Sequence, residues 1–119
     1  MNVTIYHNPR CSKSRQTLQL LEEKGIQPTV IEYLKTPPKI EQIESFLNYL
    51  NMQPRDLMRK KESEYMENNL ADESLTDQQL VAAMFHNPKL IERPIVVVET
   101  ADEIKVALGR PLENVVDIL

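Results

Sequence analysis

Cys11 is the only cysteine of the chain, and the segment HNPRCSKSR, residues 7–15, surrounds it with His7, Arg10, Lys13 and Arg15. A thiol with a pKa of ~8.5 is only about 3% thiolate at pH 7, and the thiolate is the nucleophile. Nearby cations lower that pKa. A drop of ~2 units raises the thiolate roughly 25-fold, but the weaker nucleophilicity of a more acidic thiol takes back most of the gain. The larger use of a positive pocket is to hold an oxyanion against the sulfur and to stabilise charge there during attack. Three residues form the candidate catalytic set: Cys11 as nucleophile, His7 as its titratable neighbour, and Ser14, one helical turn on, as a hydroxyl able to donate to the thiolate. Arg15 adds positive field, and Lys13 reads as a solvated charge.

Other chemistries are excluded by count. One cysteine cannot form an internal bridge, and Cys11 with His7 and His86 cannot supply an ordinary zinc site. With 14 basic and 18 acidic side chains the net charge is -4, which provides no general attraction for nucleic acid or an anionic membrane. Any anion site must be local. The start of the chain lacks a basic-then-apolar leader, and no apolar run has the length of a membrane span. The expectation is a soluble protein of a reducing cytoplasm. At 119 residues and 41% apolar composition, one globular domain is predicted.

The elements that must position Cys11 follow from patterning. Residues 3–7 are β-branched and aromatic and stop at Asn8-Pro9, a first strand and its turn. Helix is predicted over 12–24, with Leu18, Leu20 and Leu21 near one face and Gly25 as its left-handed stop. Residues 29–34 read as a second strand. Thr36-Pro37-Pro38 opens a helix carrying Ile40, Ile43, Leu47 and Leu50 on one side. Short helical pieces are expected at 54–61 and 63–70. Thr76 and Gln79 have capping-box spacing for a helix that buries Leu80, Val81 and Met84 and ends at Asn87-Pro88. Residues 95–98 form an apolar strand and 104–108 its hairpin partner. A terminal helix runs from Gly109-Arg110-Pro111 through residue 119. Cys11 therefore falls between the first strand and first helix, where unpaired N–H groups and the positive helix end face its sulfur. An accessible thiol of depressed pKa is predicted.

HNPRCSKSRQTLQLL resembles the active-site segment of the glutathione- and glutaredoxin-coupled arsenate reductases, in their short chromosomal type. YLKTPP, LMRKKESEY, LIERPIVV and GRPLENVVDIL extend the similarity over nearly the whole chain. The resemblance implies a thioredoxin-like three-layer α/β fold, a mixed four-stranded sheet in a single domain over 1–119 with a helical insertion at about 39–90. It implies that Cys11 attacks arsenate and that Arg59, Arg93 and Arg110 surround the oxyanion; Arg15, from its place near Cys11, is the further candidate for binding it. The Arg93-Pro94 peptide is then expected to be cis.

The implied reaction is reduction of arsenate to arsenite, with no tightly bound cofactor or metal. Glutathione is the co-substrate and glutaredoxin the protein partner. A single cysteine suits this division of labour. Arsenate reductases built on the phosphatase fold use a C-x5-R loop and further cysteines, whereas here Thr17 stands six residues after Cys11. Two other readings remain open on the sequence. Spx-type transcriptional regulators share the fold and bind RNA polymerase, many through a C-x-x-C switch whose second position is here Ser14. A general monothiol oxidoreductase acting on glutathione mixed disulfides is compatible with C-x-x-S alone.

Overall fold

The computed structural model describes residues 1–119, which divide into two units, Met1–Thr36 with Arg93–Leu119, and Pro37–Glu92.

The first unit is built on a sheet of four strands, β1 (Asn2–His7), β2 (Thr29–Glu32), β3 (Ile95–Glu99) and β4 (Ile104–Leu108), in the order β2-β1-β3-β4. β1 and β2 run parallel through α1 (Ser12–Glu23), while β3 is antiparallel to both β1 and β4. The sheet is therefore mixed, and the chain order β-α-β, helical insertion, β-β-α is the thioredoxin-like arrangement. Register explains the core. Val3 pairs with Val98, Ile5 with Val96, and Val96 with Ala107. Their side chains share one sheet face, where they bury Leu21 of α1 and Val115 of α5 (Glu113–Val116). Strand β3 is buried from Ile95 to Val98, in keeping with its uninterrupted apolar run. His7, two residues beyond Ile5, lies on the same face as α1. At the far end of α1, Gly25 adopts φ +76°, the left-handed stop.

The second unit packs α2 (Ile40–Leu50) against α4 (Asp77–His86) around Ile43, Phe46, Leu47, Leu80, Val81 and Met84, and also contains α3 (Ser63–Glu67). The Thr76 hydroxyl accepts the Gln79 N–H and Gln79 accepts the Thr76 N–H, a complete capping box.

Five elements are shorter than their sequence suggests. β2 ends at Glu32, where the Lys35 and Thr36 N–H groups turn back onto its carbonyl, and α3 ends at Glu67, with Asn69 left-handed at φ 54° just beyond. The second helix begins at Ile40, after both prolines, because a residue preceding proline is pushed out of the helical region. Only Pro54–Leu57 turns as a 3-10 helix where 54–61 was expected to be helical. Beyond it the backbone pairs instead: Met58 bridges Ile91, Arg59 N–H donates to Leu90 O at 2.6 Å, and Glu92 N–H donates to Leu57 O at 2.8 Å. The terminal helix ends at Val116, where Ile118 and Leu119 donate three residues back, to Val115 and Val116, and tighten the last turn.

Candidate active site

The turn between β1 and α1 places the thiol. After β1, the Cys11 N–H closes a turn onto Asn8 O at 3.0 Å, and the Asn8 side chain accepts the Arg10 N–H at 3.0 Å. Such an Asx turn is what asparagine before proline favours. Cys11 is the N-cap of α1, extended at φ -94° and ψ 123°, and its carbonyl accepts the Arg15 N–H at 3.0 Å. An N-cap side chain faces the first unpaired N–H groups of its helix. Burial alone would push the Cys11 thiol up, but the Ser14 N–H, the hydrogen bond and charge of Arg93, and the Lys13 N–H outweigh it and hold the thiol below its ordinary pKa. The residue is only 9% exposed, so the expected accessible thiol is instead recessed in its turn.

Arg93 and Arg110 reach the sulfur from the other end of the chain. Arg110 Nη2 donates to Cys11 Sγ at 3.6 Å, and Arg110 Nε donates to Arg93 O at 2.8 Å. Arg93 interacts with Cys11 and with Tyr33, while its Nε is buried without a hydrogen-bond partner. A buried guanidinium N–H left open next to a thiol is a donor for a ligand oxygen. The Arg93-Pro94 peptide is cis, as is Arg110-Pro111.

His7 and Ser14 are present in the site, but in roles the sequence did not show. Ser14 is wholly buried; its hydroxyl accepts the Asn8 N–H at 3.0 Å and meets His7 Nδ1 at 2.6 Å. Oγ and Nδ1 share one proton between them. The expected hydroxyl bond to the thiolate is replaced by one from the Ser14 backbone. Burial pushes the His7 imidazole down, Glu32 opposes this and Arg15 adds to it, leaving His7 below the usual histidine value. Arg15 itself donates to Pro9 O at 2.9 Å, pinning the turn before the cysteine.

Arg59 belongs to the second unit. There its Nε pairs with Glu62 at 3.2 Å and its Nη1 with Glu92 at 3.6 Å. Tyr33, Glu62 and Glu92 all contact candidate arginines and carried no sequence signal beyond their place in the motifs. No group of three or more His, Cys, Asp or Glu side chains is arranged to hold a metal ion.

Comparison with known proteins places the chain in a family. The ArsC family model matches residues 6–118. An arsenate reductase of Escherichia coli is 44% identical over 118 residues, covering 99% of this chain and 81% of that protein. The uncharacterized protein YfgD of Escherichia coli K12 is 52% identical, covering 98% of this chain and 96% of its own. Among solved structures, an arsenate reductase from Vibrio cholerae superposes with a TM-score of 0.92 at 51% identity, covering 100% of this chain and 98% of that one.

Proposed function

Because the chain belongs to the ArsC family, we propose that it is an arsenate reductase in which Cys11 is the attacking thiol. The observation that carries the reading is the meeting of Arg110 with Cys11 Sγ at 3.6 Å, beside the open Nε of Arg93. Cations on a thiolate lower its pKa; cations with donors to spare also bind the anion it attacks.

In this reading arsenate docks on Arg93 and Arg110, and the Cys11 thiolate displaces one arsenate oxygen as water, forming an S–As bond. A glutathione thiol then attacks the Cys11 sulfur. The S–As electron pair leaves with arsenic, taking it from As(V) to As(III), and Cys11 and glutathione are joined as a mixed disulfide. A glutaredoxin thiol attacks the glutathione sulfur, takes the glutathionyl group as its own mixed disulfide and releases Cys11 as the thiol. Two thiols lose the two electrons that arsenic gains. No second cysteine of the chain can resolve the disulfide, which supports an external donor. Arg59 is assigned as a third oxyanion ligand on the LMRKK motif, and Arg15 as a fixed positive charge at the turn. His7 and Ser14 act on the position of the thiol turn. No helix is long and apolar enough to cross a membrane. The proposed compartment is the cytoplasm, where glutathione keeps a single thiol reduced.

The test is turnover of arsenate by purified protein with glutathione and glutaredoxin, read as arsenite formed, with thioredoxin in place of both as a second arm. Turnover in the first arm and none with Cys11→Ser supports the proposal. Turnover with thioredoxin alone would correct the donor. No arsenite in either arm, with stoichiometric capture of RNA polymerase, would favour a regulator of the Spx type.

A further inference from the structure

Gly109 precedes the arginine that reaches the thiol, and its surroundings leave no room for a side chain. A Cβ built there lies 2.6 Å from Thr17 Oγ1, 2.7 Å from Pro94 Cγ and 3.0 Å from Pro94 Cδ. Its φ is not in the left-handed region, unlike that of Gly25, so the constraint is space rather than backbone conformation. The three residues come from three segments: α1, the entry of β3 and the exit of β4.

Each contact leads to the site. The Gly109 N–H donates to Pro94 O at 3.0 Å, extending the β3–β4 pairing by one step beyond Ile95 and Leu108. One residue further, Arg110 Nε donates to Arg93 O at 2.8 Å. The two arginine-bearing strand ends are thus joined by two hydrogen bonds. Thr17, wholly buried, donates its hydroxyl to Lys13 O at 2.9 Å, and so ties the second turn of α1 to the first. That first turn supplies the Lys13 and Ser14 N–H groups that face the sulfur.

We propose that Gly109 is a positioning residue: its lack of a side chain lets the Pro94 and Gly109 strand ends seat on Thr17, and this seating fixes the Arg110 guanidinium on Cys11 Sγ. A methyl group at 109 must displace Thr17, Pro94 or the exit of β4. Moving Thr17 disturbs the first turn of α1 that faces the sulfur, moving Pro94 shifts Arg93, and moving the exit of β4 shifts Arg110. A packed site cannot absorb a contact of that closeness without shifting.

The test is Gly109→Ala, with the fold checked by circular dichroism and two readouts taken. The first is the pH dependence of Cys11 alkylation, which needs no substrate. The inflection is expected to move up towards that of a free thiol. The second is steady-state turnover of arsenate, with KM expected to rise about tenfold, the low end of what one charge-assisted hydrogen bond contributes, and kcat to change less. Adding Thr17→Ala removes the nearest contact, so the double variant is expected to recover part of both losses. Should G109A alone not fold, the double variant is compared with T17A; the remaining contact with Pro94 then keeps its alkylation inflection above that of T17A.

A folded G109A with the wild-type inflection and the wild-type KM would overturn the proposal, as would a double variant identical to T17A in both. The KM arm rests on the arsenate reading, whereas the alkylation arm does not. A shifted inflection in a protein whose wild type turns over no arsenate sinks that reading and leaves this one standing.

Discussion

Cys11 and Arg110 lie 99 residues apart in the chain and meet at 3.6 Å, Nη2 to Sγ. The contact can form because β1 and β3 are neighbours in the sheet, so the turn after the first strand and the ends of the last hairpin share one edge of the unit. Charge-assisted hydrogen bonds contribute about 1.5 to 3 kcal/mol, so Arg110→Ala is expected to lower kcat/KM for arsenate roughly 10- to 150-fold. Arg110→Lys restores it only in part, since lysine keeps the charge but loses the fork that holds Arg93 O and the sulfur together. Equal activity of the alanine variant and wild type would remove Arg110 from the site.

The lowered thiol pKa makes a signed prediction. Because the folded state favours the thiolate, alkylation of Cys11 stays fast below pH ~8.5, the midpoint of a free thiol, and slows only as pH falls through the lower folded value. The same linkage contributes stability above the free-thiol midpoint that is lost as pH falls through the folded one. An alkylation profile centred at or above ~8.5 contradicts the assignment.

Ser14 separates the work of a side chain from that of a backbone. Its hydroxyl satisfies both His7 Nδ1 and the Asn8 N–H, whereas its own N–H serves the thiol. Ser14→Ala is expected to keep the low alkylation inflection but to cost roughly 2 to 4 kcal/mol of stability, because two buried polar groups lose their partner. Urea midpoints and the alkylation profile of the same sample decide it. A raised inflection with unchanged stability would assign the hydroxyl to the thiolate after all.

What the sequence shows and what it hides divide along a physical line. The position of Cys11 at a strand-to-helix junction is local, because residues 3–7, Asn8-Pro9 and the helical pattern after it decide it within a few residues. The role of Ser14 depends on the side-chain directions of the first helical turn, which spacing alone leaves open between sulfur and imidazole. Residues 58–61 carry helix-forming side chains, yet the pairing of Met58 with Ile91 and of Arg59 with Leu90 takes their backbone groups, and no local signal announces a partner that far along the chain. Gly109 is the extreme case: its importance arises only when Thr17 and Pro94 are both in place. GRP marks it as a motif without saying why the first residue must be bare.

His7 gives a stability slope. Burial holds its imidazole below the usual histidine value, while that of the unfolded chain takes up a proton near pH ~6.5. Below that pH the unfolded state therefore binds more protons, so stability falls as pH drops from about 6.5 through the lower folded value and then levels off. His7→Gln is expected to remove this part of the slope. Urea midpoints of both proteins between pH 5 and 8 test it, and parallel curves would mean that His7 titrates alike in both states.

Arg59 is the strictest test of the arginine set, since its two ion pairs offer a purely structural explanation for it. Its side chain is 23% exposed, and those of Glu62 and Glu92 are 28% and 26% exposed. Partly exposed pairs of this kind contribute at most about 1 kcal/mol each once solvent screening is counted. A structural Arg59 therefore predicts, for Arg59→Ala, a loss of no more than about 2 kcal/mol in stability and little change in turnover. An oxyanion ligand predicts in addition a kcat/KM for arsenate lower by roughly 10- to 150-fold, on top of the same small loss of stability. Only Nε is hydrogen-bonded, to Glu62, while Glu92 pairs with Nη1 by charge at 3.6 Å, so the Nη protons remain as donors. Arg59→Lys keeps the charge but loses the planar fork that reaches several acceptors at once, so its activity should lie between those of alanine and wild type. Measuring the urea midpoint and kcat/KM on the same three proteins decides between the roles. Wild-type turnover in Arg59→Ala would remove it from the oxyanion ligands and leave that role to Arg93 and Arg110, with Arg15 at the turn.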